Sequence, residues 1–332
     1  MANLKLKFAC QDYDRTKGLT DGSIRIEGAE LDHIDLPPWA TFERLIKGGE
    51  FDVSEMGLTF YMGTLALEDP PFIALPVFLS RTFRHSTIYV NKASGIRWPR
   101  DLIGKRVGEA FCYGHDAGIW SKGILSDEYG VPTDSYRYFI GGVDRPVPPW
   151  DWLPFRPPPN VRIEHIGPAR TLDPMLESGE IDALYSAIVP PSLLRRSPNV
   201  GRLFEDAEPV ERDYYRRTGI HPIMHVAVIR RTVYRQHPWL AQALYKAFKE
   251  AKEQVMKLYR SYEGRMHLLL MIPLLTELQE RNRDMMGEDP WPYGVEPNRK
   301  TLETFCRYHH EQGLSARCFA PEELFAPETL AD

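Results

Sequence analysis

Two successive strand–helix–strand cycles, a short echo between them and two points where the chain changes over predict a layered α/β protein of two lobes. A ligand cleft is expected between the lobes. The first cycle opens on Leu4, Leu6 and Phe8, which alternate with Lys5 and Lys7 at the period of a half-buried strand. Phe42, Leu45 and Ile46 then form a helical stripe that Gly48-Gly49 ends, because glycine accepts the left-handed geometry of a C-terminal cap. Phe51–Met56 is a short strand, and Phe72–Val77 a firmer one whose preceding Pro70-Pro71 blocks a helix.

The second cycle starts after Ser80–Ser86, with Thr87–Val90 extended, a turn at Pro99–Ile103, a strand from Arg106 and a helix over Gly118–Tyr129 stopped by Gly130. Residues 141–159 carry seven prolines with Trp150 and Trp152, an ordered excursion whose aromatics need something to pack on. Val161–Ile166 and Ile181–Tyr185 are strands on either side of a short helix at Leu172–Leu176. Gly179-Glu180-Ile181-Asp182-Ala183 echoes Gly49-Glu50-Phe51-Asp52-Val53. A polar helix at Glu208–Arg217, an apolar strand at Pro222–Ile229 and a long amphipathic helix at Pro238–Tyr259 follow, with more helix at Met266–Met286 and Thr301–Gln312. Crossings near Thr82–Thr87 and Gly219–Met224 make the first lobe discontinuous: residues 1–85 and 224–332, with the second lobe at 86–223.

Composition narrows the functional classes. The chain has 332 residues, 41 Lys+Arg against 46 Asp+Glu and a net charge of −5, which gives no general reason to bind nucleic acid. No apolar run reaches the length of a membrane helix; the longest, Leu268–Leu275, contains Pro273. The first residues show no leader pattern, and Cys10, Cys112, Cys306 and Cys318 have no paired spacing, so a cytoplasmic protein with reduced thiols is expected.

Three segments can carry chemistry. Ser80-Arg81-Thr82-Phe83-Arg84-His85-Ser86 places two guanidiniums and an imidazole at the first crossing, suited to gripping a carboxylate and moving a proton; a solvated basic loop is the alternative. Gly108–Gly118 runs from a strand into a helix, where free N–H groups favour an anion. There His115 and Asp116 are an acid/base pair or, alternatively, Asp116 caps the helix. In Gly219–His225, a strand would put His221 and His225 on one face, open to a metal reading with His85 or His115 or to plain burial. Glu55 and Thr59 line the same cleft or, equally, cap Gly57–Gly63. No Walker or Gly-x-Ser-x-Gly motif is present.

Three blocks together, Pro76–Ser86, Arg216–His225 and Trp291–Arg299, resemble the 4,5-dihydroxyphthalate decarboxylase family, and Leu102–Gly108 is similar to a more general feature of periplasmic-binding-like domains. The resemblance spans nearly the whole chain. It implies a two-lobed, periplasmic-binding-protein-like type 2 fold with extra C-terminal helices, turned into a cytoplasmic, homo-oligomeric lyase. The implied reaction is the non-oxidative loss of CO₂ from 4,5-dihydroxyphthalate, or a close relative, to give protocatechuate. No organic cofactor is implied, and a divalent metal is left open. The turn Ser186–Pro191 lacks an arginine that the family's pattern places there, and His221 stands where an apolar or aromatic residue is expected.

Loss of CO₂ straight from the ring would leave an in-plane carbanion, so protonation of the carboxyl-bearing carbon, assisted by a para hydroxyl, must come first. On that reasoning Arg81 and Arg84 grip the substrate with Ser86, Glu55 and Thr59 beside them, and His85 is the leading acid. His221 or His225 acts as acid or as partner of the phenol, His115 is a further candidate, and Glu55 or Asp116 orients a histidine. The rival readings are a cytoplasmic binding or sensor protein for a small carboxylate, and a metal-dependent decarboxylase.

Overall fold

A computed structural model describes residues 3–148, 150, 152–153, 155, 157–266 and 271–331. It contains two sheets. The first uses β1 (Leu4–Cys10), β2 (Ala29–Asp35), β3 (Val53–Gly57), β4 (Phe72–Arg81) and β11 (Ile223–Arg230) in the order β2-β1-β3-β11-β4. β1 runs parallel to β2 and β3, whereas β11 is antiparallel to both β3 and β4. The second sheet takes β5 (Ile88–Asn91), β6 (Arg106–Ala110), β7 (Arg137–Gly141), β8 (Arg162–His165), β9 (Ala183–Tyr185) and β10 (Val200–Arg202) in the order β10-β5-β9-β6-β7-β8. The chain crosses between sheets over residues 82–87 and 203–222.

Local chemistry accounts for the boundaries. The Pro38–Gly48 helix ends at Gly49 with φ 56°, and the Asp116–Tyr129 helix at Gly130 with φ 64°. β3 and β4 are almost wholly buried, and β4, although last in the strand order, reads as a near-continuous apolar run rather than an alternating one. The Trp239–Arg260 helix lays Leu240, Leu244, Phe248 and Ala251 against the first sheet's core. The expected helix over Met266–Met286 begins only at Leu275, and part of the apolar run, Leu268–Leu270, lies outside the described residues. Among the described residues no helix is long and apolar enough to cross a membrane.

The C-terminal segment fastens the two sheets' layers together. The Arg299–Glu311 helix packs along the Asp116–Tyr129 helix, and Tyr308 lies where Gly123 has no side chain. Gln312 Nε2 donates to the Ile119 carbonyl at 3.0 Å, and Tyr308 Oη donates to Asp127 at 2.7 Å. Trp120 Nε1 of the same helix donates to the Ile223 carbonyl at 2.8 Å, tying it to the start of β11.

Candidate active site

The carboxyl ends of β1, β3 and β6 meet between the lobes, the usual location of a ligand site in such sheets. Glu55, on β3, is fully buried and forms the centre of a cluster. Its Oε1 accepts from Tyr13 Oη at 2.8 Å and lies 2.6 Å from His225 Nδ1. Tyr13 follows β1, and His225 sits on β11 opposite Gly57, at a register irregularity against β4. Burial, reinforced by the Glu55 charge, pushes the Tyr13 phenol well above its ordinary range, so it stays a donor. The edge of the His225 ring abuts Phe42, with ring centroids 5.1 Å apart.

Asp116 reaches this cluster from the other lobe. It is the first residue of its helix, with His115 at the N-cap, and its side chain caps a different helix. Asp116 Oδ1 accepts the Thr59 N–H at 2.8 Å, near the start of the Leu58–Thr64 helix, and Thr59 Oγ1 donates back to the Gly114 carbonyl at 2.9 Å. Gly57 makes this approach feasible: a Cβ there would stand 2.5 Å from Asp116 Oδ2. Burial raises the Asp116 carboxyl's pKa, while His225, the Thr59 N–H and His115 pull the other way.

Arg84 is 4% exposed, and its guanidinium makes no hydrogen bond to a described residue; Nε is wholly sequestered. Burial brings it down to about 10, opposed first by the charge of Asp116 and then by Tyr89 and Glu211. A buried guanidinium without a partner is a poor structural device and a good receptor for an anion.

The other sequence-predicted residues go elsewhere. Arg81 donates to Asn298 Oδ1 and to the Pro292 carbonyl, fastening the end of β4 to the C-terminal segment. His85 packs among Tyr129, Phe204 and Tyr214. Tyr129 ends the helix that Asp116 begins, so His85 packs at the opposite end of that helix from Asp116. Burial, then Arg217, hold His85 at about 4, and burial, then Arg81, hold His221 at about 3. His221 lies before β11, stacked on Phe83 at 4.7 Å, and does not share the site of His225. The Ser86 N–H donates to Glu211 at 2.8 Å. His115 lies beside Asp116, with Nδ1 3.4 Å from Glu109. Among the described residues, no three His, Cys, Asp or Glu side chains form a metal-ligand group.

Sequence reasoning passed over Tyr13, whose place after an alternating strand was the available signal, and Phe60 and Phe111. Trp150 stacks on Phe111 at 4.7 Å and on Trp152 at 4.6 Å, and meets Phe60 of the other lobe at 5.8 Å. The described aromatics of the 141–159 excursion thus pack between the lobes beside the cluster; Pro149, Asp151, Pro154 and Arg156 lie outside the described residues. A cavity of about 730 Å³ is lined by Arg15, Lys252, Met256, Leu275 and Trp291 among others and meets this cluster at Arg15, whose guanidinium lies 4.0 Å from the centre of the Tyr13 ring. The Asp116–Thr59 bond links the two lobes.

No family model matches the chain. It is 34% identical over 330 residues to 4,5-dihydroxyphthalate decarboxylase of Comamonas testosteroni, covering 99% of this chain and 98% of that one. The chain belongs to the 4,5-dihydroxyphthalate decarboxylase family. A second relative, the 4,5-dihydroxyphthalate decarboxylase of Pseudomonas putida, is 31% identical over 216 residues, 65% of this chain and 83% of that one. The protein is therefore a carbon–carbon lyase that decarboxylates a hydroxylated aromatic acid without oxidation.

Its fold is that of periplasmic-binding-protein-like type 2 proteins with added C-terminal helices. The periplasmic aliphatic sulphonate-binding protein of Escherichia coli matches with TM-score 0.53 at 13% identity over 99% of both chains. A periplasmic sulphonate-binding protein of Methylobacillus flagellatus matches with TM-score 0.55 at 14% identity over 99% of this chain and 93% of that one. These matches correct the expectation of a cytoplasmic address: the named proteins that share the fold are periplasmic, and the expectation is dropped.

Proposed function

We propose that the substrate is 4,5-dihydroxyphthalate or a close dihydroxylated relative, and that the reaction takes place at Glu55, His225, Asp116 and Arg84. The observation that carries this reading is the 2.6 Å contact of His225 with buried Glu55, beside a carboxyl delivered from the other lobe. Arg84 holds the carboxylate that the product keeps. A grip of equal strength on the departing group would stabilise the ground state as well and gain no rate.

Asp116 accepts the proton of the hydroxyl para to the departing carboxylate, and His225, as imidazolium oriented by Glu55, protonates the carboxyl-bearing carbon. The C–C bond then breaks, its electron pair restores the aromatic ring, and CO₂ leaves. The proton on Asp116 returns to the phenolate, and His225 is reprotonated from solvent, so the net reaction consumes one proton. Tyr13 donates to Glu55 and keeps the carboxylate in place. Substrate entry must part Asp116 from the Thr59 N–H, exposing N–H groups at a helix start to an anionic ring substituent.

A homo-oligomer belongs to the same reading, supported by Tyr262, Met266, Met271 and Leu274, which leave large apolar surface exposed. Sedimentation velocity tests it, and a monomer at micromolar concentration counts against it. The reaction itself is tested by incubating purified protein in D₂O with 4,5-dihydroxyphthalate and with hydroxybenzoates, with and without EDTA. The expected result is stoichiometric CO₂ and deuterium at the vacated ring carbon of the dicarboxylate. CO₂ only from monocarboxylates would contradict the substrate.

A further inference from the structure

A second, fully buried group of charges contacts the loop that delivers Asp116. Glu109, on β6, and Lys122, on the Asp116–Tyr129 helix, both have 0% exposed side chains, with Nζ 2.9 Å and 3.0 Å from the two carboxylate oxygens. Such a pair is a weak source of stability, since desolvation of both ions offsets their attraction. Its geometry suits another purpose, because the loop is built around the carboxylate. Glu109 Oε1 also accepts the Gly114 N–H at 3.0 Å and approaches His115 Nδ1 at 3.4 Å.

Two glycines make the arrangement feasible. A Cβ on Gly118 would stand 1.9 Å from Glu109 Oε1, so the helix can pass the carboxylate only without a side chain there. Gly114 turns at φ +87° against Leu314, in the left-handed region that favours glycine. On the far side, Lys122 Nζ rests 3.6 Å from the centre of the Tyr113 ring. Glu109 is therefore fixed from behind by Lys122 while its front holds Gly114 and His115. Gly114 is also the residue whose carbonyl receives Thr59 Oγ1 across the cleft.

We propose that Glu109 and Lys122 are positioning residues of the decarboxylation: a buried ion pair that sets the 111–116 loop so that Asp116 meets the hydroxyl of the substrate. This rests on the reading that Asp116 moves that proton. Neither residue touches the substrate; both act through Gly114, His115 and the first turn of the helix. A displacement of Asp116 of about 1 Å is enough to cost about a hundredfold in rate.

The test is a double-mutant cycle in the full-length chain, following CO₂ release from 4,5-dihydroxyphthalate with kcat and KM separated, and thermal melting of every variant. Lys122→Gln keeps a donor for Glu109 but removes the charge. It is expected to lower kcat at least about tenfold while KM changes less than about threefold. In an Asp116→Asn background the same replacement should have no further effect on kcat, because the group it positions is gone. Glu109→Gln/Lys122→Met, which leaves no unpaired buried charge, should recover much of the melting temperature lost in Lys122→Met yet stay low in kcat. Equal losses from Lys122→Gln in both backgrounds, or a wild-type kcat for Lys122→Gln, would overturn the proposal. If instead Asp116→Asn alone kept the wild-type kcat, the assignment of the proton to Asp116 would fail, whatever the pair does.

Discussion

Replacing Arg84 by Met separates the fold's interest from that of catalysis. Burial displaces the Arg84 guanidinium from 12.5 to about 10, and at 1.36 kcal/mol per unit this is about 3 kcal/mol against folding at neutral pH. The sign follows from the charged form being the one disfavoured: the cost is fully present below about pH 10 and disappears only as the group loses its proton in both states. Met fills much of the same volume without charge, so the variant should melt at the same temperature or higher. Substrate binding moves the opposite way. A carboxylate held by two charge-assisted bonds of about 1.5–3 kcal/mol each loses about 3–6 kcal/mol of transition-state stabilisation, or about 10²–10⁴ in kcat/KM. Calorimetry and CO₂ release from 4,5-dihydroxyphthalate, measured on one preparation, read both quantities. A variant that melts several degrees lower while keeping kcat/KM within threefold would refute the reasoning, because Arg84 would then be structural.

Three further outcomes follow from the same geometry. Gly57→Ala places a methyl 2.5 Å from Asp116 Oδ2 on a backbone of ordinary φ −59°, so it tests steric exclusion alone. This clash, with a second against Phe60 Cδ2 at 2.9 Å, should break the Asp116–Thr59 bond at a cost of about 1.5–3 kcal/mol of stability, and an unaltered melting curve would count against the contact. Glu55→Gln removes the carboxylate behind His225 and should lower kcat by about 10²-fold with little change in KM, whereas Tyr13→Phe should cost less; equal kcat in all three proteins would remove the cluster from the mechanism. His85, His221 and His309 are held by burial at about 4, 3 and 3, against an unfolded value near 6.5, so the unfolded chain binds protons first as pH falls. Stability should therefore drop between pH 6.5 and 5 by roughly 1.5 kcal/mol per histidine, and His85→Phe should flatten part of that slope in denaturant titrations. A slope unchanged by the substitution would mean that His85 is not held neutral.

The fold was largely legible because its signals are local. Leu4, Leu6 and Phe8 alternate on a strand with one face buried, Gly49 and Gly130 stop helices by adopting positive φ, and Pro70-Pro71 precedes β4. β2 left a weaker trace, since as an edge strand it buries only Ala29 fully. The Leu58–Thr64 helix showed only in the capping alternative for Gly57–Gly63, because every residue in it is buried and no polar face marks its period.

The site was legible only in parts. Glu55, Thr59, His115, Asp116, Arg84 and His225 were singled out from strand ends and helix starts, but their grouping depends on contacts between residues 57 to 170 positions apart. His85 drew attention because it adjoins Arg84, yet the backbone turns between them and sends the ring into an aromatic pocket. His221 and His225 would share a face only if the strand reached back to 221, and it starts at Ile223. Tyr13 carried no motif at all: its role comes from where β1 ends.

The most direct measurement of the central claim is kcat/KM of His225→Asn for CO₂ release from 4,5-dihydroxyphthalate, with folding verified by its melting temperature. A proton delivered to the ring carbon by this imidazole predicts a fall of about 10²–10⁴-fold in a folded protein. A folded variant within threefold of the parent would contradict the account, since the proton would have to come from another group.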